Sequence, residues 1–190
     1  MSRSAFPDPR RFAFVPALER EADGIRAELD ALGAGAFAES PDSLGERPGG
    51  YVEPGLLWYP LLGAGACPEN AALCPRTAAA CRAVPGVVNA GFSLLRPGTH
   101  LEPHRGELAG VLRCHLPLVV PDGDLGLSAG GETRAWRAGE CLVFDDTREH
   151  EAWNRGAGDR VVLLVTFRAE PGPATSASAG TLEQQDGGAA

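Results

Sequence analysis

Apolar positions recur with two different periods along this chain, and the change falls near position 87. Before it the period is helical. Leu18, Ile25, Leu29 and Leu32 recur among Glu and Arg, which predicts an amphipathic helix over Val15–Leu32 with Pro16 near its start. Gly33–Gly50, rich in Gly, Pro and Ser, reads as a loop, and Leu56–Leu62 as a strand. A second helical stretch covers Asn70–Ala83 and restarts at Pro75, which suits a first helical turn. From Val87 the pattern becomes short strands: Val87–Leu95, Val111–Val120, Leu125–Leu127, Glu132–Trp136, Glu140–Phe144, Glu149–Asn154 and Arg160–Phe167. Pro97-Gly98, Pro121-Asp122-Gly123, Gly130-Gly131 and Ala138-Gly139 punctuate them, which predicts a sandwich or barrel. Ala169–Ala190 has no apolar pattern and is expected to be a disordered tail.

Composition narrows the function. Of 190 residues, 25 are acidic and 17 basic, giving a formal charge of −8, and every basic residue is Arg. Without Lys there is no Schiff-base amine and no phosphate-loop Lys. The acidic balance, with no basic run, argues against nucleic acid as a partner. No apolar stretch approaches the length of a membrane span, so no membrane insertion is expected. The Arg-bearing start, Met1–Arg11, has no apolar run behind it and does not read as a secretory signal. The five Cys are an odd number without a zinc pattern, and read as reduced thiols in a cytoplasmic protein.

All four His, at 100, 104, 115 and 150, lie in the β-rich half. Imidazole is the usual ligand of Fe, Zn, Cu and Ni. A lone His is more often a satisfied structural group. His104 and His150, however, each sit at a strand edge and lie about forty to fifty residues apart, the shape of a jelly-roll metal site. His100 is read as structural, because the prolines around it forbid the helix that would pair it with His104. His115 shares a strand face with Arg113. Glu149 and Glu151 flank His150 and point away from it. Trp153, Cys114 and Cys141 read as core. Ser93 lacks a Gly-x-Ser-x-Gly elbow, which excludes a hydrolase nucleophile.

Three ordered motifs carry a family resemblance: Pro-Gly-Thr-His-x-x-Pro-His at Pro97–His104, Leu-Arg-Cys-His-Leu at Leu112–Leu116, and Phe-Asp-Asp-x-x-x-His-Glu-x-Trp-Asn at Phe144–Asn154, with Arg160 ten residues beyond His150. The sequence resembles the aspartyl/asparaginyl β-hydroxylase family of Fe(II)- and 2-oxoglutarate-dependent oxygenases, strongly over Ser93–Arg168 and weakly back to Leu56. The resemblance implies a mainly β fold, a double-stranded β-helix of the jelly-roll or cupin kind with N-terminal helices packed on one sheet. It implies a helical and loop segment over 1–55, the oxygenase domain over 56–168 and the tail over 169–190.

By the same resemblance, His104 and His150 match the iron-binding pair and Asp146 an acid near the metal. Arg160 matches the clamp on the distal carboxylate of 2-oxoglutarate, assisted by Ser93, while Arg113 and His115 line the cosubstrate and substrate pocket. The implied cofactors are Fe(II), 2-oxoglutarate and O2. The implied reaction hydroxylates an unactivated C–H bond of an amino acid, a peptide or another carboxylate-bearing small molecule, with 2-oxoglutarate decarboxylated to succinate. Gly106 stands two residues after His104, where most such oxygenases carry a ligating acid. His-x-Gly is also the pattern of the related halogenases, so halogenation is an alternative, as is a metal-binding module without turnover. Gly91 and Val111 stand where animal members carry basic residues, which makes a strict peptidyl-aspartate activity doubtful.

Overall fold

The computed structural model of the protein describes residues 4–33, 35–39, 55–106 and 108–169. The predicted tail beyond Ala169 and most of the loop predicted before Gly50 lie outside them. Four helices come first: α1 (Val15–Arg20), α2 (Ala22–Ala31), α3 (Pro68–Leu73) and α4 (Pro75–Arg82). Between them lie β1 (Ala38–Glu39) and β2 (Leu56–Leu62). The rest is β3 (Val87–Leu95), β4 (Thr99–His104), β5 (Val111–Val119), β6 (Leu125–Ala129), β7 (Glu132–Arg134), β8 (Leu142–Phe144), β9 (His150–Asn154) and β10 (Arg160–Arg168).

Among the described residues the strands form two antiparallel sheets. The major sheet runs β1-β2-β3-β10-β5-β8 and the minor sheet β4-β9-β6-β7. Sequence-adjacent strands such as β3 and β4 lie in different sheets, the jelly-roll arrangement of a double-stranded β-helix. The helices cover one face of the major sheet. Val15, Leu18, Ile25, Leu29 and Cys81 pack there against Leu61, Phe92, Leu116, Leu163 and Phe167. The second core lies between the sheets, where Leu95 and Val162 meet Leu101, Leu127, Ala129 and Ala152, with Phe6 against Phe144. The major sheet is therefore buried on both faces, which explains the near-continuous apolar run of β10.

The helical stretch predicted over Val15–Leu32 is divided at Glu21, between α1 and α2. The break predicted at Pro75 appears as the α3/α4 boundary, where Cys74 adopts a non-helical conformation as residue before proline. Glu28 of α2 closes the start of α4, accepting from the Arg76 and Thr77 backbone N–H groups at 2.8 Å each. All five cysteines are free thiols. Trp153, expected in the core, is half-buried on the outer face of the minor sheet, where its indole N–H donates to Asp124 at 2.8 Å.

One buried amide ties the sheets together at the end of β9. Asn154 Nδ2 donates to Leu95 O of the major sheet at 2.8 Å and to Gly158 O at 2.9 Å, and its Oδ1 accepts from Gly156 N at 3.0 Å. Asn154→Ala removes these three hydrogen bonds of a buried side chain, and is expected to cost about 2–3 kcal/mol. Urea unfolding with an unchanged slope measures it; a loss under about 0.5 kcal/mol would show that this amide does not hold the sheets.

Candidate functional site

The sheets enclose a cavity lined from the major sheet by Trp58, Asn89, Ser93, Arg113, His115 and Arg160 and from the minor sheet by Leu101, His104, Leu127, His150 and Ala152. Strand parity explains the major-sheet set. Asn89, Gly91 and Ser93 alternate along β3, as Arg160, Leu164 and Thr166 do along β10 and Arg113 and His115 along β5. The register places Thr166 between Asn89 and Arg113, and Leu164 between Gly91 and His115.

On the minor sheet, His104 pairs with His150 across β4 and β9. The register slips between Leu101, opposite Ala152, and His104, so three steps on β4 match two on β9. This β-bulge at Glu102–Pro103 lets Leu101 and His104 both face inward, which strict alternation forbids. β4 is an edge strand, where a proline removes no ladder bond. The two imidazole centroids are 4.1 Å apart. His104 Nδ1 donates to Glu102 O at 2.8 Å and His150 Nδ1 to Arg148 O at 2.9 Å. A carbonyl can only accept, so each neutral ring carries its proton on Nδ1 and offers Nε2 as a lone pair. Burial, then the neighbouring His104, pulls the pKa of His150 down to about 3.

Arg160 is only 2% exposed. Its Nη1 reaches Ser93 O at 3.4 Å, its Nε has no hydrogen-bond partner, and its Cζ lies 4.6 Å from the centre of the Trp136 ring. Burial pulls its pKa down to about 9, which still leaves it charged at neutral pH. His115 is also buried; its Nδ1 accepts from Trp136 Nε1 at 3.2 Å, and its Nε2 has no partner. Burial, then Arg160, Arg113 and His150, pulls its pKa well below the ordinary imidazole value.

Arg113 Nε lies 2.8 Å from Asp146 Oδ2. Asp146 is buried, and burial raises its pKa in spite of that guanidinium. The pair reaches Gly106. A Cβ there would meet Asp146 Oδ2 at 2.4 Å and Cγ at 2.7 Å, and Gly106 N donates to Asp146 O at 2.7 Å. The carboxylate of Asp146 thus stands where a side chain at 106 would project. Among the described residues, no group of three or more His, Cys, Asp or Glu is arranged to hold a metal ion by direct ligation.

Of the seven residues singled out from the sequence, Ser93, His104, Arg113, His115, His150 and Arg160 line one cavity, and Asp146 stands behind it in contact with Arg113. His100 lies apart, bonded to Glu151 at 2.8 Å. Sequence reasoning did not single out Trp58, Asn89, Trp136 or Thr166. Asn89 and Thr166 were within reach of it, since they continue the inward parity of Ser93 and Arg160. Their Oδ1 and Oγ1 are buried without partners. Trp58 lies over Gly91, where a Cβ would meet its Cζ2 at 2.7 Å.

The model of the family described as aspartyl/asparaginyl β-hydroxylase matches residues 19–170. The chain belongs to that family. It is 42% identical over 104 residues, 54% of its length, to an ornithine lipid ester-linked acyl 2-hydroxylase of Rhizobium tropici. Over 161 residues, 80% of the chain, it is 34% identical to the human aspartate β-hydroxylase domain-containing protein 1. It spans 34% and 40% of the length of these two relatives. A solved structure with the same fold is HygX of Streptomyces hygroscopicus, with nickel and 2-oxoglutarate bound, at TM-score 0.50 and 15% identity over 80% of this chain and 79% of that one. No described helix is long and apolar enough to cross a membrane.

The two buried imidazoles set an acid-sensitivity. Both His115 and His150 take up a proton more readily unfolded, near 6.5, than folded. Their contribution to stability is complete above about 6.5 and is lost as pH falls below it, for His150 down to about 3. Thermal melts of chelator-treated protein should therefore show Tm falling between about pH 6.5 and pH 5. A Tm that holds level across that interval would contradict the neutral burial of these rings.

Proposed function

We propose that this protein is an Fe(II)- and 2-oxoglutarate-dependent hydroxylase of an unactivated C–H bond in an amino acid, peptide or other carboxylate-bearing substrate. The observation that carries this reading is Arg160, a buried guanidinium paired with no carboxylate among the described residues, set in the same cavity as two inward imidazoles. A buried cation without a counter-charge is expensive to maintain. An anionic ligand that enters and leaves supplies that charge.

The residues fit the group. His104 and His150, whose ring centres are 4.1 Å apart on the cavity wall, would hold the ion. The Nε2 lone pairs of the two rings would suit Fe(II), which would bring the oxo-acid and O2 chemistry to the cavity. When bound, iron with 2-oxoglutarate and O2 supplies the oxidative decarboxylation to succinate and CO2 and the transfer of one oxygen atom into a C–H bond. The chain's own part is placement. Backbone carbonyls of Glu102 and Arg148 hold the two imidazoles in the ligating tautomer. Arg160 grips the distal carboxylate and the Ser93 hydroxyl assists it. Asp146 holds Arg113 beside the substrate, and Leu101, Leu127, Phe144 and Ala152 keep water away.

The rest of the cavity bears on the substrate. The Trp58 indole covers the Gly91 position with an apolar surface, while Asn89 and Thr166 add uncharged polar atoms. This favours a substrate with an apolar or neutral part beside its anionic end, and the acyl group named for the Rhizobium relative is of that kind. Halogenation draws no support from the geometry, because the Asp146 carboxylate already fills the space facing Gly106. A module without turnover has no use for a buried oxo-acid clamp. The five free thiols suit a reducing compartment such as the cytoplasm.

Succinate release with Fe(II), ascorbate and O2 tests the assignment. Arg160→Ala should raise the 2-oxoglutarate concentration for half-maximal release on the order of a hundredfold. His150→Ala should abolish iron-dependent release. Unchanged 2-oxoglutarate dependence in the first variant would assign the clamp elsewhere, and chlorine in the product when chloride is supplied would replace hydroxylation by halogenation.

A further inference from the structure

Trp136 is the side chain of the cavity's surroundings that has no role in the reading above. It lies between β7 and β8, and the turn that follows it is tied down. Arg137 and Glu140 pair as a β-bridge, and Gly139 N donates to Pro117 O at 2.9 Å. Its indole is buried and makes two polar contacts, one along its edge and one on its face. The Nε1–H donates to His115 Nδ1 at 3.2 Å, and the face carries the Arg160 guanidinium at 4.6 Å.

An indole N–H can donate and cannot accept. The His115 Nδ1 that receives it must therefore hold a lone pair, which puts the ring proton on Nε2. That Nε2 is buried, lines the cavity through its residue and has no partner, and the Arg160 Nε is buried without one as well. One indole thus fixes two unmet donors, a neutral imidazole N–H and a charged guanidinium. Their common complement is an anion with several acceptor oxygens, as in an oxo-dicarboxylic acid.

We propose that Trp136 is a positioning residue that locks His115 in the Nε2–H tautomer, making it a hydrogen-bond donor to the anionic cosubstrate beside Arg160. The donor role rests on the 2-oxoglutarate reading; the tautomer does not. His104 and His150 provide the internal contrast. Backbone carbonyls put their protons on Nδ1 and so their lone pairs on Nε2, whereas the Trp136 donor imposes the opposite tautomer on His115. The cavity thus distinguishes three imidazoles by what touches Nδ1.

Nitrogen–proton correlation spectra of the imidazoles, in metal-free and Zn(II)-loaded protein, read the tautomer directly. His115 should show a protonated Nε2 and a bare Nδ1. Trp136→Phe keeps an aromatic face for Arg160 and removes the N–H together with part of the buried ring volume. It should release His115 into a mixture of tautomers and weaken 2-oxoglutarate binding to Zn(II)-loaded protein by about three- to tenfold, with zinc affinity unchanged. A protonated Nδ1 on His115 in the unaltered protein, where no folding defect enters, would overturn the proposal. So would a Trp136→Phe protein with the original tautomer and affinity. Failure of 2-oxoglutarate to bind either protein would remove the oxygenase reading and the donor role with it, while the spectra of the metal-free protein still decide the tautomer.

Discussion

A positive charge held between two β-sheets, with no counter-charge among the described residues, is the constraint around which this structure is organised. Taking a guanidinium out of water costs several kcal/mol even after the surroundings relax. Here the cost is met by a rigid frame. Arg160 opens β10, which lies inside the major sheet with β3 on one side and β5 on the other. Helices reinforce the far face of that sheet through Phe92, Leu163 and Phe167. Nearer the charge, a backbone carbonyl and an aromatic face give partial compensation. The residual demand is directional, because it points into the cavity.

The site is divided between the sheets. Ser93, Arg113, His115 and Arg160 belong to the major sheet, and His104 and His150 to the minor one. Neither sheet holds enough to work alone. What joins them is the apolar layer of Leu95, Leu101, Leu127, Ala152 and Val162, together with the Asn154 amide. Packing in that layer therefore sets the geometry of the site as much as the functional groups do, since a close-packed interior transmits small displacements.

Much of the fold was legible because its signals are local. β3 is recovered residue for residue and β5 and β10 to within one residue, since turn residues bound each apolar run. The α3/α4 break was legible at Pro75. β4 was not read as a strand, because Pro97-Gly98 and Pro103 are turn signals and only pairing with β9 makes the segment extended. The residues of the candidate site that line the cavity were legible where motif and resemblance named them. Trp136 was not, because its significance depends on a hydrogen bond to a residue 21 positions away on another element. The Arg113–Asp146 contact and its hold on Gly106 likewise arise only when distant segments meet.

The bulge in β4 carries a consequence for how this chain can vary. Between Leu101 and His104 the strand carries one residue more than the facing stretch of β9. Removing one of Glu102 and Pro103 would leave the imidazole two residues from Leu101, the spacing of simple alternation, so it would keep its inward face and only the bulge would go. The extra residue at Glu102–Pro103 is thus absorbed by the ladder rather than needed for the inward aim of the imidazole, so this edge of the minor sheet tolerates a change of one residue in length.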